Sequence, residues 1–140
     1  MARKSIWVAL VAAAATSAAS AQVTTVVETQ KTMAGQPLVA PPGPMEVVAT
    51  TIVMRAGQNI DMHMHFWPRY VYVQSGQVEV TLLDSGPPKR FNAGSMIVEP
   101  IGKWHSGRII QDAVLVAVEQ VPPGRCNTVK PPVPGKTNDC

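Results

Sequence analysis

The sequence predicts an all-β fold, and three observations carry that prediction. Short runs rich in Val, Ile, Thr and aromatic residues recur at intervals of roughly ten residues. Gly and Pro stand between them, 10 and 13 of each in 140 residues. No stretch of core length in the chain after residue 21 repeats with a helical period. Strands spaced and punctuated in this way build a sandwich or a barrel around one core.

The elements follow in order. Residues 1–21 read as a signal peptide rather than as fold: Arg3 and Lys4 form a short positive region, Ile6 to Ala15 is apolar, and Ala19-Ser20-Ala21 is a small-x-small cleavage site. The apolar run is shorter than the ~20 residues a membrane span needs. The mature chain is then expected to be exported to the periplasm or beyond, with no membrane segment after cleavage. Residues 22–45 read as an N-terminal strand, Val23 to Glu28, followed by a Pro-rich lead-in. Residues 46–121 hold the strand series. Glu46 to Met54 comes first and ends at Ala56-Gly57. Asp61 to His65 is next and is broken at Trp67-Pro68. Tyr70 to Gln74 and Gln77 to Leu83 flank a hairpin turn expected at Ser75-Gly76. Lys89 to Phe91 and Ser95 to Glu99 are short. Trp104 to Ile110 and Ala113 to Gln120 complete the set, the last apolar enough to be central. Residues 122–140 are a Pro-rich tail.

Charge excludes one class of partner. The whole chain carries 12 Lys and Arg against 9 Asp and Glu, and two of the basic residues lie in the leader. The remaining basic residues are scattered, with no patch that suits nucleic acid. The two cysteines, Cys126 and Cys140, lie in the tail. In an oxidising compartment they are placed to bridge, closing a loop worth about 3 kcal/mol in the chain-entropy account.

Chemistry concentrates in the three histidines. His63 and His65 are spaced by one residue, so on a strand both rings project to the same face and can grip one ion. His105 is the third. Asp61 shares their parity and is placed at the rim, as a solvated strand start or as a partner orienting an imidazole. Met62 and Met64 alternate with the histidines and face the other way, as does Trp104 beside His105.

Two stretches carry a resemblance. Gly57-QNIDM-His63-Met64-His65-FWP-Arg69-YVYVQS-Gly76 resembles the first cupin motif, G-x5-H-x-H-x3,4-E-x6-G. Gly94-SMIVE-Pro100-Ile101-Gly102-KW-His105 resembles the second, G-x5-P-x-G-x2-H. Both occur in order with every spacing kept, and the chain is most similar to small secreted single-domain cupins. The resemblance implies a double-stranded β-helix, or jelly-roll barrel, with His63, His65 and His105 as metal ligands inside it. It implies a divalent transition metal (Fe, Zn, Ni, Cu or Mn), a small-molecule ligand or substrate, and in many members a homodimer.

The chain departs from the motif at its acidic ligand, where Arg69 stands. A guanidinium is a poor metal ligand, so Arg69 is expected to point away or to bind an anionic substrate. Glu99, at the end of the strand before Pro100, is the candidate replacement as fourth ligand or as a catalytic general base. A carboxylate at an inward position is costly unless paired or coordinated. Three function classes stay open: a metal-dependent enzyme of dioxygenase or isomerase type, a non-catalytic protein that captures a metal or small ligand, and a structural dimerising barrel with a degenerate site.

Overall fold

The computed structural model describes residues 21–132. The signal peptide reading of residues 1–21 therefore falls, apart from its last residue, outside the described residues, as does Cys140. Among the described residues no cysteine is free.

Seven strands form the fold, and no helix occurs among the described residues: β1 Glu46–Met54, β2 Asn59–His65, β3 Arg69–Leu82, β4 Lys89–Asn92, β5 Met96–Val98, β6 His105–Val121 and β7 Thr128–Val129. The pairings between strands are all antiparallel, and β6 is the spine. On one side it takes β1 from Glu46↔Val121 to Met54↔Ala113, then β2 through His63↔His105. On the other it takes β3, from Arg69↔Glu119 to Leu82↔His105. β4 and β5 add to the far edge of β3, and β7 adds to β2.

The length of β3 and β6 corrects two expectations. Ser75-Gly76 is not a hairpin turn, and Gln111-Asp112 does not end a strand. Pairing runs through both points as one ladder with register shifts between Val73 and Val78. The reason is local. Gly76 has φ +80°, and a Cβ there would lie 2.1 Å from the Asp112 carbonyl oxygen. Only glycine lets the two backbones cross so closely, so the turn signal in the sequence marks a bend in a paired ladder. The buried set on β3 changes parity at this bend, from Val71 and Val73 to Val78, Val80 and Leu82. On β6 it stays odd through Ile109, Ala113, Leu115 and Ala117.

That bend closes the barrel. Fourteen steps of straight strand from His105 to Glu119 would span roughly 46 Å. Instead Glu119 pairs with Arg69, Arg69 with Glu99, and Glu99 Oε1 lies 3.9 Å from His105 Nε2. The ladder folds over and brings both of its ends to one place. Inside the fold Val71, Val73, Val78, Val80, Ile97, Ile109 and Leu115 pack together as the core, each buried side chain contributing about 1.5–3 kcal/mol.

The N-terminal strand expected at residues 23–28 does not form. These residues are irregular and exposed, with Val23 93% accessible. β-Branched composition favours a strand only where a neighbour offers a ladder and a surface to pack on. Ordered contact begins at the Lys31↔Pro37 bridge. There Met33 N donates to Val98 O at 2.7 Å, and Gln36 exchanges two hydrogen bonds with the Ile101 backbone. The lead-in thus braces the turn after Glu99. The first part of the tail is equally built in, because Asn127 is buried and bonds the Trp67 backbone from both ends of its amide.

Candidate metal centre

Period-two alternation on β2 sends His63 and His65 inward, as expected, and β6 opens with His105 directly opposite His63. Glu99 lies one residue past β5. Its backbone N–H bonds Arg69 O at 3.0 Å, and Pro100 ends the strand because it has no N–H to continue the ladder. Gly102, at φ +64°, then turns the chain toward His105 while its N–H donates to His65 O at 2.7 Å. All four side chains are buried, and one ligand atom from each can be chosen so that all four atoms lie within 4.8 Å of one another.

The backbone settles which ring nitrogen faces inward. His63 Nδ1 donates to Asp61 O at 2.7 Å, and His105 Nδ1 donates to Lys103 O at 2.9 Å. His65 Nδ1 lies 3.4 Å from Thr128 Oγ1. Nε2 of His63 and of His105 is thereby left as the lone-pair nitrogen. Asp61 does orient an imidazole, but through its carbonyl and not its carboxylate.

Electrostatics keeps the donors ready. Burial pushes His63 down from 6.5 to about 4, against the lift its bond to Asp61 supplies. Burial also lowers His105. Burial of Glu99 works to raise its carboxyl, yet the neighbouring His65, Arg69 and His105 outweigh it and hold the group below the ordinary carboxylate range. His63 and His105 are therefore neutral imidazoles beside an ionised Glu99 carboxylate near pH 7.

These donors fit a metal ion. His65 Nε2, His105 Nε2 and Glu99 Oε2, together with the non-ligating Arg69 Nε, are buried with no hydrogen-bond partner among the described residues. Unsatisfied buried polar atoms are rare and costly. Glu99 Oε2 is 2.9 Å from His65 Nε2. Two ligands bound at ~2.1 Å and at right angles sit about 3.0 Å apart, so the spacing suits a shared ion. A carboxylate in the set also readmits the harder Mn²⁺, which three imidazoles alone favour less.

Arg69 corrects the expectation that it points away. Its side chain is 16% exposed and turns into the site. Nε is 3.1 Å from Glu99 Oε2, and Nη1 bonds Glu119 Oε1 and, at 3.2 Å, Thr128 Oγ1. Glu119 and Thr128 are members the sequence reading missed. Glu119 was findable: it shares the inward parity of Ala113, Leu115 and Ala117 on β6. Thr128 had no signal, because its place depends on how the tail returns to β2. Met62 and Met64 are only partly buried, and Met64 pairs with β7.

Comparison with known proteins agrees with this architecture. The cupin domain family model matches residues 50–120. No curated protein sequence matches the chain. Among solved structures, the dimethylsulfoniopropionate (DMSP) lyase DddQ from Ruegeria pomeroyi superposes with TM-score 0.50 at 22% identity, covering 59% of this chain and 42% of that one. A mutant of the oxalate decarboxylase of Bacillus subtilis gives 0.52 at 18%, covering 59% and 23%. A conserved protein of unknown function from Streptococcus pyogenes gives 0.50 at 22%, covering 70% and 93%. This chain thus spans less than half the length of the two enzymes, and likeness at such identity concerns the fold.

Proposed function

Since the chain belongs to the cupin domain family, we propose that it is a metal-dependent enzyme acting on a small molecule within the barrel. His63, His65 and His105 would hold one divalent transition ion through Nε2, with Glu99 beside them as fourth ligand or general base. The observation that carries this reading is the convergence of four buried groups within 4.8 Å, three of them with an atom that has no hydrogen-bond partner, while Nδ1 of His63 and of His105 is committed to the backbone.

A bound ion would supply Lewis acidity and an open coordination position for substrate. The chain's own part is positional. The Asp61 and Lys103 carbonyls fix two ring tautomers, and Arg69 pairs with Glu99 at Oε2, the oxygen that also faces His65. Glu99 is ionised and so able to accept a proton. The apolar walls formed by Val71, Ile97 and Leu115 keep water from the inner side.

Metal analysis of the protein as isolated tests the reading. One ion per chain, lost in His63→Ala, is the expected result. Sub-stoichiometric metal that does not respond to this substitution overturns it. Capture without catalysis would appear as a full site with no turnover of any small molecule offered. We propose export as well, supported by the leader pattern in residues 1–21. A periplasmic form whose N-terminus is Gln22 is the expected product, and an intact Met1 in the mature protein would refute it.

A further inference from the structure

A cavity of about 180 Å³ opens behind the donor cluster. Its polar wall is His63, Arg69 and Glu99. The opposite walls are apolar, with Ile52 and Met54 from β1 facing Val78, Val80 and Leu115. Ile60, His63 and Arg69 also line a second hollow, which leads outward past Asp61 and Lys130. The cavity therefore has a mouth, a charged collar and a greasy interior.

Charge at the collar decides what fits. Arg69 is paired with Glu119, so these two cancel. Asp61 and Lys130 add one charge of each sign to the lining of the outer hollow. Glu99 contributes one negative charge, and a dication contributes two positive. One positive charge is left over beside an apolar space. An uncompensated buried charge is costly, and one anionic head group removes that cost.

Volume decides the rest. An apolar cavity of roughly 150 Å³ accommodates a benzene, so this one has room for about seven non-hydrogen atoms. We infer that the ligand of this site is a small monocarboxylate with an unbranched or compact apolar body, its head at the donor cluster and its tail between β1 and the Val78–Leu115 wall. The inference rests on the metal reading for its head group. The tail depends only on the cavity.

The test is a chain-length series on cobalt-loaded protein: acetate, butanoate, hexanoate, octanoate and decanoate, with alcohols and amines of the same lengths. Binding is read by calorimetry and by the visible spectrum of the cobalt. Affinity is expected to rise roughly fourfold per methylene, to level off near hexanoate, and to be at least tenfold weaker for the alcohols and amines. Met54→Phe, which fills the cavity from the largely exposed edge strand β1, should weaken hexanoate at least tenfold and leave acetate unchanged. Ile52→Phe serves if that variant does not fold. A flat series, continued gain through decanoate, or alcohols that bind as well as acids would each overturn the inference. Failure of the metal reading is separate: it appears before any acid is added, as wild-type protein that takes up no cobalt.

Discussion

The bend of the β3–β6 ladder and the place where its two ends meet are made of contrasting materials. At the bend, Gly76 lies against the Asp112 backbone, and Val73, Val78, Ile109 and Ala113 seal the interior with methyl groups. At the meeting place, His105, Arg69, Glu119 and Glu99 gather with His63 and His65, and several of their atoms have no partner. The first region lowers the free energy of the fold by burying apolar surface and satisfying its backbone. The second gathers buried polar atoms whose cost only an added charge relieves. Stability and chemistry thus share two strands but occupy different segments of them.

Substitutions at the bend should separate the two regions most sharply. Gly76→Ala must place a methyl 2.1 Å from a backbone oxygen while adopting φ +80°. We expect a loss above ~4 kcal/mol, read as failure to recover folded protein or as a collapsed urea midpoint. Ile109→Ala, at a site 1% exposed, should cost about 2–5 kcal/mol. Its ion stoichiometry should stay at one, because no donor is touched. If Ile109→Ala empties the centre, the two regions are not separable.

Substitutions at the centre should do the reverse. His105→Ala is expected to lower ion affinity by at least ~100-fold, measured by competition with a chromogenic chelator. Its ion-free melting temperature should hold or rise, since a costly buried ring is gone. Acid gives a second view of the same cost. His63 in the folded protein titrates at about 4 rather than 6.5, so the unfolded chain binds the proton more readily. His105 shifts in the same direction. Stability of the chelator-treated protein should be full above about pH 6.5 and be lost as pH falls toward 4. Melting temperatures that are level from pH 7 to pH 4.5 would contradict the burial described. The smallest effect is expected at Gly57→Ala, where φ is +86° but nothing lies within 4 Å. A cost near ~1 kcal/mol, set against that of Gly76→Ala, isolates close approach from backbone strain.

Much of this was legible in the residues. β1 was read with its observed limits because Ala56-Gly57 stops an unbroken β-branched run. The three histidines were found through strand period and motif spacing, and Glu99 through the oddity of a carboxylate at an inward position. Less legible was anything that depends on partners far along the chain. Ser75-Gly76 carries the same turn chemistry whether the chain reverses there or two paired strands bend there together. Arg69 was misplaced because its counterion, Glu119, lies fifty residues away, and a guanidinium alone gives no reason to turn inward. Residues 23–28 show the opposite error: composition suits a strand, and no ladder receives it.

The two imidazoles anchored at Nδ1 are held by main-chain carbonyls two residues earlier, at Asp61 and at Lys103. Every amino acid has that carbonyl. The side chains at positions 61 and 103 can therefore drift without disturbing the rings. A lineage could recolour the mouth of the barrel, swapping acid for base or polar for apolar, and so retune which molecules are admitted, while the donor set inside stays in place. Such a rim is open to selection for new ligands at no cost to the centre it surrounds.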